Sequence, residues 1–281
     1  MRPLPATPPD AVAEVVREKV ILGERVFLID RPGGSDDLMN HPSIRVGEYL
    51  PYWVDLWPAA RMLAKAVLAE PWFGPLPLAS SCPLPPWGGR LGWGVNWPAL
   101  DRSIPHPNPP PQGGREQERP RLQDDRERSL TALEIGCGLG LPGIAALARG
   151  LRVIFSDYDA TAVRFAAANA RLNGFADFTE RVFDWHDPPA DLHVDVVLAS
   201  DLTYEARHVE PLVALVERVL KPGGLCLWTD QDRPPAAALK AELARLGWPL
   251  ETKVARAGEP GGQRYKGTLY RLRRPSGVSQ L

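Results

Sequence analysis

The sequence predicts an α/β fold in which helices cover both faces of a mostly parallel sheet. Beyond residue 130, short apolar strands alternate with helical segments. The strands are apolar along most of their length, which is typical of strands buried on both faces of a parallel sheet. The chain has 281 residues, of which 44% are hydrophobic. This length suits one large domain or two small ones.

The N-terminal part is predicted to contain a helix at 11–20, a strand at 25–29 and a helix at 57–70. The last of these has apolar residues at helical spacing. The following segment, Pro75 to Pro120, holds 12 of the 31 prolines, 6 glycines and 3 tryptophans. It has neither helical nor strand periodicity, so we predict a disordered insert there. The charged run that follows, 119–128, is interpreted as a solvated linker.

The alternating region predicts seven strands, each ended by turn residues. Pro142 suits the first turn of a helix, Gly150 ends that helix, and Asn173-Gly174 ends the next. Residues 221–224, Lys-Pro-Gly-Gly, are predicted to separate a helix from a strand. The predicted strands are 130–135, 152–156, 178–183, 194–200, 225–229, 250–255 and 264–272. The predicted helices are 142–149, 160–172, 211–220 and 235–246.

Composition excludes several classes of function. With 33 Lys+Arg against 34 Asp+Glu, the chain has no basic field for general nucleic-acid binding, although recognition of one particular RNA stays open. The cysteines are odd in number and far apart, which argues against a disulfide framework or a zinc site. The histidines show no metal-ligand spacing, so no metal is expected. The cysteines are Cys82, Cys137 and Cys226, and the histidines are His41, His106, His186, His193 and His208. Without a signal-peptide pattern or a long apolar span, we expect a cytoplasmic protein that does not enter membranes.

A glycine-rich turn follows the first strand of the alternating region. Gly136, Gly138 and Gly140 have the spacing G-x-G-x-G, and Glu134 precedes them. Open α/β sheets bind ligands at the carboxyl ends of their strands, where glycines let the backbone approach the ligand. Dinucleotide sites have G-x-G-x-x-G instead. An acid here would repel pyrophosphate but could hold an ammonium, which favours S-adenosylmethionine over NAD. The alternative is a turn without a ligand.

Acidic residues also follow the next two strands. Asp157 comes 21 residues after Gly136 and is placed to accept hydrogen bonds from ribose hydroxyls. Asp159 is interpreted as the N-cap of the 160–172 helix. Asp184, followed by Trp185, is placed to accept a hydrogen bond from the adenine amino group beside the indole. A plain loop aspartate is the alternative for Asp184.

The fourth strand ends at Ser200, and Asp201 and Tyr204 follow it at the same sheet edge. Methyl transfer is an in-line displacement, so the protein mainly aligns the nucleophile and excludes water. Asp201 could orient an incoming amine, and Tyr204 offers a ring face and a hydroxyl beside a cation. A capping aspartate and a packed tyrosine are the alternative. His208 lies close enough in sequence to reach this site.

These residues resemble those of class I, seven-strand S-adenosylmethionine-dependent methyltransferases. Within the class, the chain is similar to the protein lysine methyltransferases that modify the electron-transfer-flavoprotein β subunit and chaperones. The resemblance covers about 45–73 and 130–273. It rests on Pro51-Tyr52-Trp53, Leu56-Trp57-Pro58-Ala59-Ala60, Glu134 to Gly140, Asp157, Asp184-Trp185 and Asp201-Leu202-Thr203-Tyr204.

The resemblance implies strand order 3-2-1-4-5-7-6 with the last strand antiparallel. It also places the Asp-x-x-Tyr tetrad beside the target lysine and gives Trp57 a cofactor-binding role in a segment that closes over the cofactor. We therefore predict an S-adenosylmethionine-dependent N-methyltransferase acting on a protein lysine. A small-molecule N-methyltransferase and a non-catalytic cofactor-fold protein are the alternatives. The predicted domains are 1–73 (N-terminal segment and lid helix), 74–129 (insert and linker), 130–273 (methyltransferase core) and 274–281 (tail).

Overall fold

The computed structural model describes residues 14–33, 51–72, 129–258 and 262–276. The predicted insert and linker, 74–129, lie outside these residues, apart from Ser129. The strands are β1 Val15–Leu22, β2 Arg25–Pro32, β3 Thr131–Ile135, β4 Arg152–Asp157, β5 Phe178–Val182, β6 Val194–Ser200, β7 Leu220–Asp230, β8 Leu250–Ala257 and β9 Tyr265–Arg273. The helices are α1 Pro58–Ala69, α2 Leu141–Leu147, α3 Ala160–Leu172, α4 Val209–Val219 and α5 Ala236–Arg245.

Strands β3 to β9 form one sheet in the order β5-β4-β3-β6-β7-β9-β8. Numbered within the sheet, this is the predicted order 3-2-1-4-5-7-6. Neighbouring strands from β5 to β7 pair in parallel, whereas β9 pairs antiparallel with both β7 and β8. The predicted fold class and the antiparallel last strand are therefore confirmed.

Two helical layers enclose this sheet. Helices α4 and α5 contact each other, and α2 contacts both α1 and α3. The largest buried side chains include Trp228 on β7 and Phe155 on β4. Because the central strands are covered on both faces, their carboxyl ends form the open edge where a ligand can bind. Among the described residues, no helix is long and apolar enough to cross a membrane.

The first element differs from its prediction. The helix predicted at 11–20 is wrong over its described part, where β1 pairs antiparallel with β2. Leu22 faces Arg25 across a two-residue turn in which Gly23 has φ +64°. β1 contains three valines and an isoleucine, which favour strands, and pairing with β2 satisfies its backbone. Local periodicity could not reveal that partner.

Two asparagines attach the β1–β2 hairpin to α3. The side chain of Asn169 accepts a hydrogen bond from the backbone N–H of Asp30 and donates one to its carbonyl, and Asn173 does the same for Leu28. The Asn169 amide also donates to the carbonyl of Leu139 at 3.0 Å. Each asparagine thus behaves like a short strand partner for β2, and Asn169 also contacts the glycine-rich turn.

The Lys-Pro-Gly-Gly stretch is the second difference. It was predicted to separate a helix from a strand, but Leu220–Asp230 is one strand that contains it. Val194 of β6 pairs with Leu220 and Val196 pairs with Leu225, so the register shifts between these two pairs. Residues 221–224 therefore form an irregularity within β7. Gly223 has φ +78°, and its N–H donates to the carbonyl of Arg274. Glycine permits this conformation without breaking the strand.

Candidate functional site

A cavity of about 270 Å³ opens at the carboxyl ends of β3, β4 and β6. Its wall is formed by the glycine-rich turn, the loops after these strands, and the segment that leads into α1. Nine predicted site residues lie on this wall: Trp57, Gly136, Gly138, Gly140, Asp157, Trp185, Ser200, Asp201 and Tyr204. The sequence motifs therefore converge on one site, as expected for an open α/β sheet.

The glycine-rich turn needs its glycines for conformation and for space. Gly138 has φ +49° and Gly140 has φ +82°, a region that other residues enter only with strain. A Cβ at Gly140 would lie 2.8 Å from Cβ of Ala166 on α3. A Cβ at Gly138 would meet the backbone carbonyl of Trp53 at 3.4 Å. The turn thus fits closely between α3 and the segment before α1.

Glu134 supports this turn from behind and is absent from the cavity wall. Its side chain is buried, and Oε2 accepts a hydrogen bond from the N–H of Gly143 at 2.9 Å. Gly143 lies in the first turn of α2, where backbone N–H groups lack helical partners and favour an acid. Burial raises the pKa of the Glu134 carboxyl well above its usual value. The structure thus shows Glu134 supporting the turn and α2, and its predicted contact with a cofactor ammonium stays a prediction.

Asp157 lies on the wall at the end of β4. Its carboxylate accepts hydrogen bonds from the N–H of Gly138 at 3.1 Å and from the N–H of Asp159 at 3.1 Å. Burial raises the pKa of Asp157 to about 6, although these hydrogen bonds oppose the shift. Asp159 caps α3 by accepting from the N–H of Thr161, so its predicted N-cap role is confirmed.

Asp184 and Trp185, in the loop after β5, differ in their position relative to the cavity. Trp185 lies on the wall, where it packs against Tyr158 with ring centroids 6.4 Å apart. Tyr158 is also a wall residue, and the sequence analysis missed it. Asp184 is outside the wall; its side chain is 42% exposed and accepts hydrogen bonds from the backbone and ring nitrogens of His186. The contact of Asp184 with adenine stays a prediction.

Asp201, the first residue after β6, has an unusual backbone conformation. Its φ is +57°, a strained value for a residue with a side chain. Its carboxylate is 5% exposed and accepts hydrogen bonds from Gln231 at 2.6 Å and from Arg233 at 2.7 and 3.2 Å. Gln231 and Arg233 were not predicted, and Arg233 lies on the cavity wall.

Tyr204 packs in an aromatic group beside Asp201. Its ring centroid lies 5.2 Å from that of Tyr52 and 4.6 Å from that of His208. Burial raises the pKa of Tyr204 to about 12, so its hydroxyl is neutral near pH 7. His208 is buried behind Tyr204, and its Nδ1 finds no hydrogen-bond partner among the described residues. It does not line the cavity.

The segment before α1 covers one side of the cavity. The indole of Trp57 donates to the carbonyl of Tyr52 at 2.7 Å, and the indole of Trp53 donates to Asp159 at 2.9 Å. The carbonyl of Ala59, on α1, accepts from the hydroxyl of Thr229 at 2.8 Å. These bonds attach the segment to α3 and β7, so Trp57 is held at the cavity.

The charges on the wall select the kind of ligand. The described wall residues include four carboxylates, those of Asp55, Asp157, Asp201 and Glu205, and one cation, Arg233. This balance disfavours phosphate groups and favours a cationic ligand. S-adenosylmethionine carries a sulfonium and an ammonium but no phosphate, so the site fits it better than a dinucleotide. No cluster of three or more potential metal ligands occurs among the residues that the structure describes.

The model of a lysine methyltransferase family matches residues 112–239. The predicted resemblance to lysine methyltransferases is confirmed. A ribosomal protein L11 methyltransferase from Shewanella halifaxensis (strain HAW-EB4) is 42% identical over 133 residues, which cover 41% of this chain and 43% of the relative. One from Aeromonas hydrophila subsp. hydrophila is 42% identical over 85 residues, 30% of this chain and 29% of the relative. The chain thus spans less than half the length of these relatives.

Solved structures of methyltransferases are also similar to this chain. A SAM-dependent methyltransferase from Methanosarcina mazei has a TM-score of 0.45 and 17% identity, covering 53% of this chain and 94% of that protein. A ribosomal protein L11 methylase from Lactobacillus delbrueckii subsp. bulgaricus has a TM-score of 0.43 and 21% identity, covering 54% and 75%.

Proposed function

We propose that this protein is an S-adenosylmethionine-dependent N-methyltransferase that methylates a lysine of a protein substrate. The observation that carries the proposal is the joint placement of Asp157, Asp201 and Tyr204 on one cavity at the carboxyl edge of the sheet, whose described wall has more carboxylates than cations. The match of residues 112–239 to a lysine methyltransferase family supports the same reaction.

The cofactor end of the site is the glycine-rich turn with the loops after β4 and β5. The backbone of Gly136 and Gly138 allows close approach, and Asp157 accepts hydrogen bonds from ribose hydroxyls. Tyr158 and Trp185 offer ring surfaces to the adenine. When bound, S-adenosylmethionine supplies an activated methyl group on its sulfonium.

The acceptor end is the loop after β6. Asp201 and Tyr204 hold the acceptor nitrogen, while Tyr52 and Trp57 exclude water on the side of the segment before α1. In-line transfer needs the nitrogen lone pair aligned with the methyl–sulfur bond, so positioning supplies most of the catalysis. No general base needs to act in the transfer itself if the amine arrives neutral.

A protein is the proposed partner. Relatives that match this chain are named ribosomal protein L11 methyltransferases, which makes a ribosomal protein the first acceptor to test. The cytoplasm stays the proposed location. The domain boundaries also stay proposals.

Incubation with methyl-labelled S-adenosylmethionine tests the proposed function. The probe is lysate from cells that lack the gene, fractionated into ribosomes, other proteins and small molecules. We expect label in one or a few protein bands, and acid hydrolysis should recover it as methyllysine. A matched Asp201→Ala reaction should give much less label. Label only in small molecules would favour a small-molecule N-methyltransferase, and no turnover on any fraction would favour a non-catalytic protein.

A further inference from the structure

The carboxylate of Asp201 is paired with donors from within the protein itself. Asp201 accepts three hydrogen bonds, one from Gln231 and two from the guanidinium of Arg233. Two of these, from Gln231 at 2.6 Å and Arg233 at 2.7 Å, reach the same oxygen, Oδ2. A carboxylate with this set of donors has little negative charge left to offer to a lysine ammonium.

Arg233 is held in place by contacts on several sides. Its backbone N–H donates to Asp230 at 3.1 Å, and its guanidinium lies 5.3 Å from the ring centroid of Trp57. The preceding residue, Asp232, has φ +57°, like Asp201, and accepts a hydrogen bond from Thr268 at 2.6 Å. Two strained residues thus bring Arg233 and Asp201 together, which indicates a maintained pair.

Other charged groups around the pair are mostly acidic. On the wall, Asp55 lies 3.9 Å from Arg31 and Glu205 pairs with Arg207 at 2.8 Å, while Asp157 lies at the end of β4. Asp230 adjoins Arg233 from β7 and is bonded to Thr203 at 2.6 Å. The phenols of Tyr52, Tyr158 and Tyr204 and the thiol of Cys137 are the remaining titratable groups among the described wall residues. Arg233 is the only cation among the described wall residues, and it lies on Asp201.

Transfer requires an amine, whereas a free lysine is an ammonium near pH 7, with a pKa of about 10.4. An unpaired carboxylate would bind the ammonium and raise this pKa further, while a nearby cation lowers it. The nitrogen lone pair attacks the methyl carbon, the carbon–sulfur bond breaks, and its electron pair stays on sulfur. The ammonium proton must leave to solvent before this step.

We propose that Arg233 is a positioning residue that neutralises Asp201, so that the acceptor lysine binds as a free amine instead of being trapped as an ammonium ion pair. Asp201 then supplies a hydrogen-bond acceptor of fixed direction, and Arg233 supplies the like charge that favours loss of the proton. This inference rests on the proposed lysine methylation.

The pH dependence of kcat at saturating acceptor tests the inference, because kcat reports ionisations within the enzyme–substrate complex. The acceptor is the purified protein that takes the most label in the lysate experiment, and the variants are Arg233→Gln and Arg233→Lys. Arg233→Gln should move the rising limb of the profile to higher pH by at least about one unit, or about tenfold in rate at a fixed pH on that limb. Its rate should recover at high pH, and KM for the acceptor should stay unchanged or fall. Arg233→Lys should largely restore the wild-type profile.

Two controls separate the outcomes. Arg245→Gln removes an exposed arginine that also pairs with a carboxylate, Glu242, and should leave the profile unchanged. Calorimetry with S-adenosylhomocysteine should give the same affinity for wild type and both Arg233 variants.

Three results would contradict parts of this account. A uniform loss of rate in Arg233→Gln with an unshifted profile would assign Arg233 to the fold. A loss of S-adenosylhomocysteine affinity would assign it to the cofactor, and either result overturns the inference while the proposed function stands. If the wild type labels no protein lysine at any pH, the proposed function itself fails.

Discussion

Lowering the pH from 7 to 5 should weaken cofactor binding about tenfold, and Asp157→Asn should remove this dependence. Burial raises the pKa of the Asp157 carboxyl to about 6. About nine-tenths of this group is therefore ionised at pH 7 and about one-tenth at pH 5. Ribose hydroxyls donate more strongly to the ionised form, so affinity follows this fraction.

The same shift predicts a cost to stability. Because folding raises the pKa of Asp157, the protonated carboxyl contributes to the free energy of unfolding below about pH 4. This contribution is lost as the pH rises through about 6, where the group ionises in the folded protein. The shift of about two units corresponds to about 3 kcal/mol at pH 7. Asp157→Asn removes this cost of ionisation, but its single amide oxygen can accept only one of the hydrogen bonds from Gly138 and Asp159, so the gain in the free energy of unfolding of the cofactor-free protein should be smaller than this amount, while cofactor binding weakens.

Isothermal calorimetry with S-adenosylhomocysteine at pH 5, 6 and 7 measures the first effect, and urea unfolding at pH 7 measures the second. Asp191→Asn is the matched control, because it removes a carboxylate whose side chain is 74% exposed. It should keep the wild-type affinity and pH dependence. The reasoning is refuted if Asp157→Asn binds as tightly as wild type at pH 7, or if it keeps the tenfold dependence.

Three further changes test other parts of the site. Gly138→Arg should abolish S-adenosylhomocysteine binding in a folded protein. Gly150→Arg is the control and should bind normally, because Gly150 also has positive φ but has open space around it. Retained affinity of Gly138→Arg in calorimetry would show that the cofactor site is misplaced. Asp201→Ala should keep this affinity but reduce methyl transfer about a hundredfold, since the acceptor loses its alignment; equal loss of both would assign Asp201 to the cofactor or the fold. Deletion of 75–120 should leave affinity and transfer intact, because the described chain resumes at the start of β3, and that end of the strand lies opposite the cofactor edge. Lost binding in a folded deletion variant would contradict this.

Much of the fold was predictable because its signals are local. Runs such as Val194–Ser200 are apolar enough to require burial on both faces, and glycine or proline marks their ends. Strand order came from the resemblance, since pairing between distant strands leaves no local pattern. The same reason explains the error at β1, whose strand conformation depends on pairing with β2. The irregular 221–224 stretch stayed in β7 because β6 and Arg274 could satisfy its backbone.

The site residues, too, were predictable where their signal in the sequence is local and not where it depends on distant contacts. The glycine-rich turn, Asp157 and the Asp201 to Tyr204 loop were predictable, since strand ends of a parallel sheet meet at one edge. Arg233 was not, because its bond to Asp201 joins residues 32 apart across two strands and its neighbours resemble an ordinary loop. For Glu134, the sequence position does not show that its carboxyl accepts a hydrogen bond from the N–H of Gly143 in α2.

Mass spectrometry of lysine methylation in cells with and without the gene tests the central claim most directly. We expect methylation of a lysine in one or a few proteins to be present in wild-type cells and absent in the deletion strain. Expression of the wild-type gene should restore it, and expression of Asp201→Ala should not. Identical lysine methylation in both strains, together with loss of a methylated small molecule, would contradict protein lysine methylation as the function.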